Sequence, residues 1–211
     1  DGRRHRDAGA AAAGVDPHDG LNPRMNLKPD QLAAHLAKGV KPLYTVHGDE
    51  PLLALEQGFR GIDTANQRKH YHEAGAGAAI RTAVANGQVP RDDLFLQTKF
   101  TFRQGQDHRL PYDSKAPIPV QVEQSFASSL KHLQTDYIDV YMSHRADPAV
   151  PIGETLETYR TLIDAGKLRS VGASNYSAEE LAEAVATVGS GRATYSSFQP
   201  HYNLARRDEY V

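Results

Sequence analysis

The chain has 211 residues, enough for one large domain with a real core or for two small ones. A hydrophobic share of 39% with 24% charged residues matches an ordinary globular composition, and a formal net charge of −2 offers no basic field to nucleic acid. Cysteine is absent, which excludes disulfides, thiolate nucleophiles and cysteine-ligated metals and fits a reducing, cytoplasmic setting; no apolar run approaches the roughly 20 residues that span a bilayer.

Residues 1–24 carry Gly, Ala, Asp, His and Arg without period and read as a disordered leader. From Met25 the texture changes: Pro29 suits a first helical position, Leu32, Leu36 and Val40 share a face, and Gly39 closes the helix. LYTVHG follows as a short strand and EPLLALEQG as a helix ending at Gly58. Strands and helices then alternate: FRGID, the helical HEAGAGAAIRTAVANG with its stop at Gly87, and LFLQTKF. The polar stretch TFRQGQDHRLPYDSKAPIP is long for a connection, which predicts a binding or lid loop. Next come the amphipathic helix PVQVEQSFASSLKHLQ, the strand YIDVYMSH, the helix TLETYRTLIDAG closed by Gly166, and the strand LRSVGASN. SAEELAEAVATVG opens on a capping box, Ser177 with Glu180 three residues later, and YSSFQPHYN is a final strand. The sum is about six β-then-α units, an α/β pattern that demands a parallel sheet, doubly wound or closed as a barrel.

The strand ends carry the chemistry. Asp63, Lys99, His144, the pair Ser174–Asn175 and Gln199 all fall at or just past C-terminal ends. A barrel gathers such ends at one rim, whereas a doubly wound sheet strings them along a crevice, so convergence favours the barrel. Lys99 among strand ends needs an anion to stay charged, and Asp63 can supply it. Tyr71 beside that ammonium is expected to have its phenol pKa lowered from about 10 toward the working range. His144 suits a hydrogen bond to a carbonyl oxygen that gains charge. Such a set protonates a carbonyl oxygen while hydride reaches its carbon, and no side chain gives hydride, so a nicotinamide or flavin is implied. Taken singly, each residue also has an ordinary role as a turn, cap or solvated strand end. His70 and His72 flank Tyr71 without a third ligand, so no metal is expected, and EAGAGAA lacks the context of a dinucleotide fingerprint.

GFRGIDTA, a Tyr ahead of a Glu-containing helix start, DLFLQTKF, TDYIDVYMSH, AGKLRSVGASN and FQPHYN, in that order, resemble the aldo-keto reductase family. The resemblance implies a (β/α)8 TIM-barrel type fold, here incomplete with the last two strands missing beyond Val211. It implies NADPH as hydride donor, a small-molecule carbonyl substrate, and a catalytic tetrad of Asp63, Tyr71, Lys99 and His144. Ser174, Asn175 and Gln199 would hold the nicotinamide carboxamide. One departure is internal: Tyr71 follows Asp63 by eight residues, three more than the family's usual spacing. MNLKPDQLAAHLAKGVKPLYTVHGDEPLLALE, in turn, resembles the start of the delta subunit of bacterial DNA polymerase III, a clamp-loader component. The expected organisation is therefore a leader over 1–24, a delta-like segment over 25–57 and a truncated reductase-like barrel over 58–211, with self-association through open barrel edges. The alternative function is a non-catalytic fragment or fusion related to that clamp-loader subunit.

Overall fold

A computed structural model of the chain describes residues 51–187 and 194–200. The leader, the helix expected after Pro29, the LYTVHG strand and all but the end of the delta-like segment lie outside the described residues.

Among the described residues five α-helices and five strands alternate: α1 (Pro51–Glu56), β1 (Gly61–Asp63), α2 (Glu73–Ala85), β2 (Phe95–Phe100), α3 (Ile118–Leu133), β3 (Ile138–Ser143), α4 (Ile152–Asp164), β4 (Leu168–Ser174), α5 (Ala178–Thr187) and β5 (Tyr195–Gln199). The strands form one sheet in chain order, every neighbouring pair parallel, as serial β–α units require. All six residues of β3 are buried, the mark of a central strand covered on both faces.

Local chemistry explains the boundaries. Gly87 and Gly166 adopt positive φ (67° and 68°) just past α2 and α4, where their N–H groups return to Val84 and Ile163. The capping box at α5 is present in both directions: the Glu180 N–H donates to Ser177 Oγ (3.2 Å), and the Ser177 N–H to Glu180 Oε2 (2.7 Å). α3 buries Val122, Ser125, Phe126, Ser129 and Leu133, one stripe at helical spacing, against the sheet. There Phe126 meets Tyr141 edge-on (5.0 Å between centroids), and Tyr141 meets Tyr159 of α4 (5.7 Å). Each such ring contributes about 1.5–3 kcal/mol by leaving water.

The side chains of Thr98, Tyr141 and Ser143 point to the helical layer, so Gln97, Lys99 and Met142 take the opposite face by strand alternation. That inner face is curved. Gln199 of β5 donates to Asp63 of β1 over 3.0 Å, although the two strands are four steps apart in the sheet. Four flat spacings would separate them by about 19 Å. The sheet therefore curls as part of a barrel does.

The 101–117 stretch is held down rather than free. The Tyr112 hydroxyl donates to the Thr101 carbonyl (2.8 Å), and Phe102 and Tyr112 are buried against Phe100. Its aromatic residues anchor it where polarity alone predicts a lid.

Candidate active site at the strand ends

Parallel pairing beyond the end of β1 builds the site. The backbone N–H groups of Thr64 and Asn66 donate to Gln97 and Lys99 carbonyls (2.9 and 3.1 Å), so the chain tracks β2 past Asp63 before turning. Asp63 lies opposite Gln97, and Lys99 lies two residues further on the same face. Lys99 is 2% exposed, and its ammonium donates to Asp63 Oδ1 and to the Thr64 carbonyl (3.0 Å for the latter). Burial lowers the Lys99 pKa, and Asp63 opposes that fall. The pairing expected from the sequence is present.

Asp63 also accepts hydrogen bonds from two amides: Gln97 Nε2 on Oδ1 (2.9 Å) and Gln199 Nε2 on Oδ2 (3.0 Å). Gln97 was not singled out from the sequence, although its two-residue offset from Lys99 puts it on the same face. Thr101 is the other omission. Its hydroxyl lies 2.7 Å from His144 Nδ1, and the turn after β2 supplies it. Burial, helped by Lys99, pushes the His144 pKa down from 6.5 to about 4, so the imidazole is neutral at pH 7. The β-ladder positions it, because the His144 N–H donates to the Phe100 carbonyl (2.9 Å).

Tyr71 reaches the cluster despite its longer loop. Its ring packs edge-on against His144, 5.8 Å between centroids, and the Lys99 ammonium lies 5.7 Å from the ring centroid. No hydrogen bond joins its hydroxyl to Lys99 or His144 among the described residues. The expected fall in its pKa is not found: burial raises it, and the negative charge of Asp63 adds to the rise. Lys99 is paired with Asp63, whose negative charge offsets the pull of the ammonium on the phenol.

Ser174 and Gln199 are register partners at the ends of β4 and β5. Asn175 follows in the left-handed region (φ 55°), its N–H donating to the Gln199 carbonyl (3.1 Å). The Asn175 side-chain amide donates to the His144 carbonyl (2.9 Å) and to Ser174 Oγ (3.1 Å). Two amides and a hydroxyl side by side are the donors and acceptors a primary carboxamide pairs with. The set thus fits a nicotinamide by its chemistry, through exchange of bonds now made within the protein.

A cavity of about 400 Å³ lies behind the β1–α2 loop, lined by Tyr71, Glu73 and His132 among others. A larger one of about 650 Å³, between α2 and α3 beside Ile80 and Leu130, includes none of the strand-end residues. Among the described residues no group of three or more His, Asp or Glu side chains could hold a metal, and no helix is long and apolar enough to cross a membrane.

Residues 52–210 match the sequence model of the aldo/keto reductase family. Aldo-keto reductase YhdN of Bacillus subtilis is 37% identical over 155 residues, covering 74% of this chain and 43% of the relative. An aldo-keto reductase of Mycobacterium avium is 36% identical over 138 residues, with 64% and 41% covered. Among solved structures, the thermostable aldo-keto reductase Tm1743 with the inhibitor epalrestat superposes with a TM-score of 0.59 at 27% identity, over 75% of this chain and 50% of that one. The aldo-keto reductase AKR2E5 complexed with NADPH shares the fold, with a TM-score of 0.59 at 22% identity over 75% and 47%. The chain spans about half the length of the relatives it matches. On this match, most of its length and the parallel α/β architecture together, the chain belongs to the aldo/keto reductase family.

Proposed function

We propose that the chain carries the active site of a cytoplasmic, NADPH-dependent reductase of small aldehydes or ketones. The single observation behind this reading is the meeting of Asp63, Lys99, Tyr71 and His144, delivered by three strand ends and one loop to one mouth. When bound, the reduced nicotinamide supplies the hydride, and Ser174, Asn175 and Gln199 would hold its carboxamide.

The remaining work falls to side chains of this chain. Tyr71 donates its phenolic proton to the substrate oxygen as charge develops there; a raised pKa keeps that proton in place at neutral pH. The buried Lys99 ammonium, held by Asp63, stabilises the phenolate left behind. His144, neutral and contacting Thr101 through Nδ1, has Nε2 left to donate to the same oxygen. Thr101 as donor to Nδ1 selects that tautomer. Burial of Lys99 and Ser174 keeps water from the charges that change.

The test is NADPH oxidation by the full 211-residue chain with a panel of aromatic aldehydes. Tyr71→Phe is expected to lower kcat by about 10²–10⁴. Unchanged turnover in that variant removes the role given to Tyr71, and the absence of aldehyde-dependent oxidation in the parent chain removes the reading itself.

A further inference from the structure

We propose that Glu73 is a positioning residue for Tyr71, acting through a buried hydrogen-bonded clamp that fastens the start of α2 to β2 and α3. The inference rests on the reading of Tyr71 as proton donor. The loop between Asp63 and Glu73 is guided by β2 only as far as Asn66, after which it turns with the Tyr71 N–H on the Gln67 carbonyl (3.1 Å). Something on the far side of Tyr71 must fix where the ring ends up.

Glu73, two residues on, is 5% exposed, an unfavourable place for a carboxylate unless its oxygens are satisfied. They are. Oε1 accepts from Thr98 Oγ1 (2.6 Å) and Ser129 Oγ (2.9 Å), and Oε2 lies 3.1 Å from His132 Nδ1. Thr98 directly precedes Lys99 in β2. By strand alternation one residue turns to Glu73 and the next to the rim, so a single step of backbone carries both the clamp and the ammonium. One turn into α2, Gly77 lets α3 approach: a Cβ there would stand 1.9 Å from the His132 carbonyl oxygen. The close crossing is what brings Ser129 and His132 within reach of Glu73.

Tyr71 lines the cavity of about 400 Å³, so part of its surface meets open space rather than packed side chains. His72, the residue before α2, makes no side-chain capping bond, so the helix start is not fixed by an N-cap either. Bonds to Asn66, Gln67 and Arg68 fasten the loop ahead of Tyr71, and the Glu73 carboxylate fastens it behind.

The experiment compares Glu73→Ala and Glu73→Gln in the full chain, reading kcat and KM for an aldehyde, thermal unfolding, and ¹⁹F NMR of 3-fluorotyrosine at position 71. Glu73→Ala is expected to lower kcat about 10²-fold, the effect of a misplacement near 1 Å, with little change in KM. The fluorophenol at position 71 should then titrate lower than in the parent, closer to free 3-fluorotyrosine, because the ring loses its burial. Glu73→Gln, whose carbonyl still accepts from Thr98 and Ser129, should restore most of the rate and the parent ¹⁹F signal. An unchanged ¹⁹F titration in Glu73→Ala, or a rate loss matching only the loss of folded protein, overturns the clamp. Where Glu73→Ala does not fold, Thr98→Val and Ser129→Ala remove one donor each and must shift the ¹⁹F signal the same way, or the clamp is refuted. Should the parent chain lack reductase activity, the functional reading fails, while the ¹⁹F comparison still decides the clamp.

Discussion

The two ends of the parallel sheet each bury a charge beside opposite charges, and they do it in opposite senses. At the N-terminal end the buried partner is the anion. Asp139 is 6% exposed and accepts from the Leu96 N–H (2.9 Å), from Arg91 (3.1 Å) and from Arg169 (2.7 Å). The Tyr137 ring lies under both guanidiniums, 3.8 and 4.3 Å from its centroid. At the C-terminal end the buried partner is the cation: Lys99 is enclosed, whereas the side chain of Asp63 is 44% exposed. Guanidiniums do not deprotonate in proteins, so the lower cluster is a fixed fastener of three strands. An ammonium whose pKa burial already lowers is tunable, and it stands where barrel enzymes do their chemistry.

The contrast can be broken from either end. The largest expected effect on stability belongs to the lower cluster. Asp139→Ala leaves the nearly buried Arg91 guanidinium without its carboxylate and the Leu96 N–H without its acceptor, and should cost about 3–5 kcal/mol in denaturant unfolding. Its rate per folded molecule should be unchanged; a specific loss of rate would erase the distinction between the ends.

An intermediate effect is expected at His144. An imidazole harder to protonate when folded binds fewer protons in the folded chain than in the unfolded one, so acid favours unfolding between 6.5 and about 4. Its contribution is fully present above pH 6.5 and lost as pH falls toward 4. His144→Asn should flatten that part of the stability–pH curve, measured by urea midpoints; an identical curve would contradict a buried neutral His144.

The smallest effect is expected on the solvent side of α4. Arg160 pairs with Glu157 (2.6 Å) and Asp164 (2.5 Å) at the surface, and Arg160→Ala should leave both the melting temperature and the rate unchanged. A clear drop in either would mean that surface pairs matter here as much as the enclosed ones.

Much of this arrangement is legible in the residues themselves. The order of strands and helices, the glycine stops at Gly87 and Gly166, and the Ser177–Glu180 box follow from local rules, because each depends on neighbours within four positions. The Asp63–Lys99 pair is legible too, since a charge at a buried strand end asks for its opposite. What depends on several elements at once is not. The Tyr71 phenol answers to its burial and to the charge of Asp63, both of which raise its pKa where the ammonium alone suggests a fall. Glu73 reads as an ordinary acidic residue in a first helical turn, yet its partners Thr98, Ser129 and His132 come from two other elements. The Asp139 cluster is hidden for the same reason. Arg91 and Arg169 lie 48 and 30 residues away along the chain.

The most direct test of the central claim, that the upper charge cluster serves chemistry rather than cohesion, is the rate of NADPH-dependent aldehyde reduction by Lys99→Met, normalised to folded protein. The account predicts that the rate is lost while the unfolding free energy stays within about 1 kcal/mol of the parent or rises, because a desolvated ammonium is exchanged for an apolar chain and Asp63 keeps its access to water. A variant that retains the parental rate but unfolds markedly more easily would contradict it.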